Sequence, residues 1–165
     1  MLRRSIVVFV VVLLILCLSS CQKEINGSAL LSGKSLAYDL SDAFPIEHGY
    51  STYDTDTIRL YFPQSAERLP EITVLYSVRP DDYTEFGVFV LNDCTEEEIV
   101  VQEVSDYLKD FRETYAVQAE LYDPDQKEKL SDASLRCVNN CVIYTIMSKN
   151  EQQRFWKKVK DLFRE

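Results

Sequence analysis

Histidine occurs once in the 165 residues, at position 48, and glycine only four times. Each shortage removes a class of chemistry. A Ser-His-Asp or Cys-His centre would have to use His48, yet His48 sits between Glu47 and Gly49 in a polar turn, with no nucleophile signature beside it. The four glycines form no phosphate-cradling loop, so neither mononucleotide nor dinucleotide binding is expected. Cys137 and Cys141, with a single histidine in the chain, do not make a zinc framework of the usual spacing. Asp123 and Asp125 open like a calcium loop, but Glu128 stands where such a loop needs glycine. No metal and no cofactor are therefore expected. Positive charge is also scarce: Lys and Arg number 18 against 27 Asp and Glu, a net charge of −9. Such a chain repels polyanions as a whole, and nucleic acid is not an expected partner.

A long apolar run is missing too. Ile6 to Leu18 is unbroken, but as a helix it spans only about 20 Å against a hydrocarbon core of about 30 Å. With Arg3 and Arg4 before it and Ser19 and Ser20 after it, the segment has the layout of an export signal. Its last residues, Leu18-Ser19-Ser20-Cys21, resemble the lipobox of bacterial lipoproteins. That resemblance implies a diacylglycerol on the Cys21 thiol and removal of residues 1–20, which takes the net charge to −11 by losing Arg3 and Arg4. Two acyl chains anchor a protein stably, at about 0.8 kcal/mol per buried methylene. The competing readings are an ordinary signal peptide with an incidental Cys21 and an uncleaved anchor.

The rest of the chain divides simply. Residues 21–35, with Gly27, Gly33 and three serines, read as a tether, and residues 36–165 as a single domain by length. Ser35 to Phe44 is predicted to form a short helix, stopped by Pro45. His48-Gly49-Tyr50 is predicted as a turn, and Asp54 to Phe62 as a second short helix or a strand. Residues 72–78 alternate apolar and polar as a strand with one buried face does. Pro80-Asp81-Asp82-Tyr83 is a turn, and Glu85 to Leu91 the returning strand. Thr95 and Glu98 have the spacing of a capping box at the head of a helix reaching about Leu121, with Val100, Val104, Leu108, Phe111 and Tyr115 on its inner stripe. Asp123-Pro124 ends that helix. Ala133 to Val138 and Cys141 to Met147 make a second hairpin over Asn139-Asn140, a pair suited to a tight primed turn. Asn150 is expected to cap a last helix with Phe155, Val159 and Leu162 inward. The expected fold is α+β: a four-stranded antiparallel sheet from two hairpins (ββα-ββα), helices packed on one face, preceded by one or two short helices.

Thr84-Glu85-Phe86-Gly87-Val88-Phe89 with the acidic helix after it, Tyr122-Asp123-Pro124, and the Asn139-Asn140 hairpin with its terminal helix are similar to an uncharacterised family of small Firmicutes lipoproteins, known as a domain of unknown function. The likeness covers about residues 70–165 and implies a surface lipoprotein without catalytic residues to carry over.

Two features remain as candidate sites. Arg79, Tyr83 and Glu85 flank the first hairpin turn, where Arg79 and Glu85 can offer a donor and an acceptor beside Pro80; a solvated turn with a surface ion pair explains them as well. Tyrosines concentrate between Tyr50 and Tyr83, where they suit sugar or peptide recognition, or core packing. Cys94, Cys137 and Cys141 are an odd set in an exported chain. In a two-residue turn Cys137 faces Val142 and points away from Cys141, so the two stay thiols; a three-residue turn would let them bridge. The chain is thus expected to be a lipid-anchored, extracytoplasmic and non-catalytic binding module for an envelope glycan, peptide or protein. A carboxylate-dependent envelope hydrolase and a structural subunit of an envelope complex are the alternatives.

Overall fold

A computed structural model of the chain describes residues 32–164. Cys21, the segment read as an export signal and most of the segment read as a tether lie outside the described residues. Helix α1 covers Gly33–Ala43, strand β1 Tyr50–Thr52, helices α2 and α3 Thr55–Tyr61 and Pro63–Arg68, strands β2 and β3 Glu71–Ser77 and Glu85–Val90. Helices α4 and α5 follow at Glu97–Tyr122 and Pro124–Asp132, strands β4 and β5 at Ser134–Val138 and Cys141–Ile146, and helix α6 at Lys149–Leu162.

The strands form one antiparallel sheet in the order β1-β2-β3-β5-β4. It has five strands where the sequence predicts four. The addition is β1, whose Tyr50 pairs with Ser77 and whose Thr52 pairs with Leu75. Gly49, at φ 77°, turns the chain into it. A strand of three residues is too short to show alternation, which is why it reads as a turn.

The expectation of helices on one face is also corrected. Strands β3 and β5 are buried along their whole length. On one face Leu75, Phe86, Val88 and Ile143 pack with Leu36 and Leu40 of α1 and with Phe155 and Val159 of α6. On the other, Val74, Phe89, Val142 and Tyr144 pack with Ile58, Phe62, Val100, Val104 and Leu130. A strand covered on both sides needs apolar residues at successive positions, and Phe86 to Val90 and Cys141 to Ile146 supply nearly that.

Two helices start on carboxylates from distant parts of the chain. Glu71, on β2, accepts hydrogen bonds from the Gly33 and Lys34 N–H groups at 2.8 and 2.6 Å. This cap starts α1 at Gly33 instead of Ser35. Glu103, on α4, does the same for Gln64 and Ser65 of α3 at 2.7 and 2.8 Å. Both occupy the positive end of a helix, where an anion is stabilising.

Other starts differ from expectation. Thr95 donates its hydroxyl to Asp93, and α4 begins beyond Glu96, which accepts from the Asn92 N–H at 2.8 Å. The box forms at α6 instead, where Glu151 accepts from both the N–H and the hydroxyl of Ser148. Asp123, read as an ending, also begins α5 by accepting from the N–H groups of Asp125 and Gln126.

The β4–β5 turn has the expected register: Cys137 pairs with Val142 and Val138 with Cys141, with Asn139 at φ 53°. Cys141 is buried among the α1 and α6 contacts, whereas Cys137 is exposed. Burial pushes the Cys141 thiol up to about 12. Although Cys137 is exposed, partial desolvation at its sulfur and a hydrogen bond to Glu97 push its thiol up to about 11. Thiolate is the reactive form, so both are expected to react slowly with iodoacetamide near pH 7.5, Cys141 only on unfolding. Peptide mapping without reductant checks this; a peptide joining Cys137 to Cys141 would contradict the turn.

Candidate functional site

Glu85 opens β3, paired with Tyr76 on β2 and Ile146 on β5. It therefore lies inside the sheet, past the turn, and side-chain alternation sends it to the same face as Gly87 and Phe89. Only 3 % of it is exposed. Three phenols satisfy its carboxylate: Tyr107 and Tyr144 donate to Oε1 at 2.7 and 2.5 Å, and Tyr53 donates to Oε2 at 2.8 Å. The Tyr53 and Tyr107 hydroxyls lie 3.1 Å apart. Burial raises the carboxyl above its usual range, and the hydrogen bonds from Tyr144, Tyr107 and Tyr53 pull the other way. Burial and the nearby carboxylate push Tyr53 and Tyr144 upward in turn.

Above this network opens a cleft of about 440 Å³, lined by residues of β1, β2, β3, α2 and α4. Its rings fall into two groups. Tyr53 lies 5.8 Å from Tyr61 and 5.0 Å from Tyr76. Tyr83 lies 5.0 Å from Tyr115 and 6.1 Å from Phe111. Tyr107 joins them, 5.3 Å from Tyr61 and 5.8 Å from Phe111. Tyr61 is 45 % exposed, so an apolar ring face with a polar tip is open to a ligand.

Helix α5 holds the end of this cleft at the β2–β3 turn. Gln126 accepts from the Tyr83 N–H at 2.8 Å. Lys129 meets Asp82 at 2.7 Å and Thr84 at 2.8 Å. Burial works to raise the Asp82 carboxyl, but Lys129 and Thr84 outweigh it and hold it low.

Arg79, Tyr83 and Glu85 all line the cleft, but not in the expected arrangement. Arg79 is exposed and forks onto Asp81, with Nε to Oδ1 at 2.8 Å and Nη2 to Oδ2 at 2.5 Å. Glu85 is spent on tyrosines, so the two do not act as a donor and acceptor pair at the turn. Tyr83 is buried against Phe111 and Tyr115. His48 lies at the surface, 3.7 Å from Glu47, and is not part of the cleft. Among the described residues no group of His, Cys, Asp and Glu could hold a metal ion.

Tyr107 and Tyr144 were not singled out by sequence reasoning. Their signal is present: Tyr107 falls on the α4 stripe between Val104 and Phe111, and Tyr144 interrupts the apolar run from Cys141 to Ile146. A buried phenol needs a partner for its O–H, and Glu85 heads the other fully buried strand.

Among the described residues no helix is long and apolar enough to cross a membrane. Compared with known protein families, curated proteins and solved structures, the chain matches none.

Proposed function

We propose that this chain is an extracytoplasmic lipoprotein, anchored through Cys21, whose domain is a non-catalytic binding module with the tyrosine-lined cleft as its ligand site. The observation that carries the reading is the state of the carboxylates in the cleft. Asp54 caps α2 by accepting from the Thr57 N–H, Asp82 is tied to Lys129 and Thr84, and Glu85 is bonded by three phenols. Each has a structural partner, whereas a hydrolase of the two-carboxylate type needs a pair facing substrate and water across the cleft. What is left open to a ligand is aromatic surface with hydroxyl tips, the chemistry that takes sugar rings and extended peptides. The hydrolase alternative draws on one observation, the raised carboxyl of Glu85 in a cleft.

The test uses Tyr61→Ala with Tyr76→Ala, at positions not fully buried, and envelope glycan and peptide fragments as probes. Retention by the wild type is expected to fall at least tenfold in the double variant with the fold intact; unchanged retention would place the site elsewhere. Turnover of a fragment that Glu85→Gln abolishes would favour the hydrolase. For the anchor, Cys21→Ala is expected to leave the precursor uncut or to release the protein from membranes. Unaltered processing together with unaltered membrane association would overturn that part.

A further inference from the structure

A second concavity, of about 690 Å³, lies between α6 and β4. Its lining sets Arg136, Lys149, Lys157 and Lys160 against one carboxylate, Asp132. In a chain of net charge −9 this is a local inversion of sign. None of the four cations has an ion-pair partner among the described residues. All four are exposed at the rim. Asp132 is already engaged, accepting from the Lys149 N–H at 3.0 Å. Helix stability does not account for Lys149 either, since a cation at the first turn opposes the helix dipole.

Trp156 also lines the groove. The Arg136 guanidinium stacks over its ring at 4.6 Å. The indole is only 7 % exposed, and its buried N–H finds no acceptor among the described residues. Four cations around one concavity, without a carboxylate partner among the described residues, call for an anion from outside the chain. The dimensions favour an extended anion. Lys149 to Lys160 runs along about 16 Å of helix, far more than one phosphate occupies. Guanidinium and ammonium groups together suit closely spaced phosphate charges, and the acidic remainder of the domain repels a polyanion as wide as a duplex.

We propose that this groove binds a linear phosphate chain, independently of any ligand in the tyrosine-lined cleft. The chain contains one tryptophan, so Trp156 emission reports the groove directly. The full-length protein in neutral detergent micelles is titrated with tripolyphosphate, with orthophosphate, and with phosphatidylglycerol mixed into the micelles. A saturable change with tripolyphosphate is expected, at least tenfold tighter than with orthophosphate and weakening with salt. Lys157→Ala with Lys160→Ala is expected to weaken it at least tenfold and to make it less sensitive to salt, with circular dichroism unchanged. Lys157→Gln with Lys160→Gln, which keeps the stems, should give the same loss. Equal affinity for orthophosphate, unchanged binding in both lysine variants, or no binding by emission and calorimetry would overturn the proposal. So would a response to phosphatidylglycerol without one to tripolyphosphate, which would make the groove a lipid-headgroup surface.

Discussion

Replacing Glu85 with alanine is expected to destabilise the domain by about 3–5 kcal/mol, read as a lowered urea midpoint. The carboxylate accepts from three hydroxyls, and Tyr107 and Tyr144 are buried. Removing an acceptor leaves each buried donor with its desolvation cost, roughly 1–3 kcal/mol apiece. The Tyr53–Tyr107 contact recovers a fraction by letting one phenol serve another. Glu85→Gln keeps the shape and one acceptor oxygen, so its loss should be near 1–2 kcal/mol. A midpoint unchanged in Glu85→Ala would mean that water or a rearranged phenol replaces the carboxylate at no cost.

The same residue sets a pH dependence. Burial, the largest influence, raises the Glu85 carboxyl in the folded state. The folded protein then binds that proton more tightly than the unfolded chain does. The resulting stability is fully present below the unfolded carboxyl value of about 4.3 and is lost as pH rises through the raised folded value. Asp82, held low, acts with the opposite sign: its stability is present above the unfolded value and lost as pH falls through the folded one. Glutamine does not titrate here. The stability gap between wild type and Glu85→Gln is therefore expected to shift in favour of the variant as pH rises from about 4. A gap constant with pH would mean that Glu85 titrates alike in both states.

How much of this was legible depends on the range of each interaction. The α4 stripe, the two hairpins and the register at Asn139-Asn140 are local patterns, and each is present as read. What sequence reasoning misplaced depends on partners far along the chain. Glu71 starts α1 from 38 residues away and Glu103 starts α3 from a similar distance, so the carboxylate that caps each helix cannot be read from the residues beside it, although Ser32 and Pro63 stand at the two starts. Double coverage of the sheet was visible in Phe86 to Val90, but alternation along β2 suggested a single buried face. The site shows the same division. Tyr83, Arg79 and the early tyrosines drew notice because they cluster in sequence. Glu85, however, reads as a solvated turn residue until Tyr107 from α4 and Tyr144 from β5 close over it, 22 and 59 residues later.

Gly87→Ala is expected to be comparably damaging, at about 3 kcal/mol, although it adds one methyl group. Gly87 pairs across β3–β5 with Tyr144. A Cβ built at Gly87 would overlap the Tyr144 ring edge and lie 3.1 Å from the Phe89 ring. Both rings are fully buried, and Tyr144 is fixed at its far end by the hydrogen bond to Glu85. The glycine is there for space. Two effects oppose each other. Alanine restricts the unfolded chain and suits a strand better, a gain of about 0.5–1 kcal/mol. Overpacking costs about 1–3 kcal/mol, and more when the neighbour has nowhere to move. Displacing Tyr144 also lengthens its bond to Glu85, so the loss should prevail and spread to the floor of the cleft. A double-mutant cycle isolates the cause. Tyr144→Phe keeps the ring and should give no rescue, whereas Tyr144→Leu removes the colliding edge. Combined with Gly87→Ala it should destabilise by at least about 1 kcal/mol less than the sum of the single changes. If the leucine combination is simply additive, the ring does not dictate the glycine, and the damage arises from Phe89 or from the strand backbone.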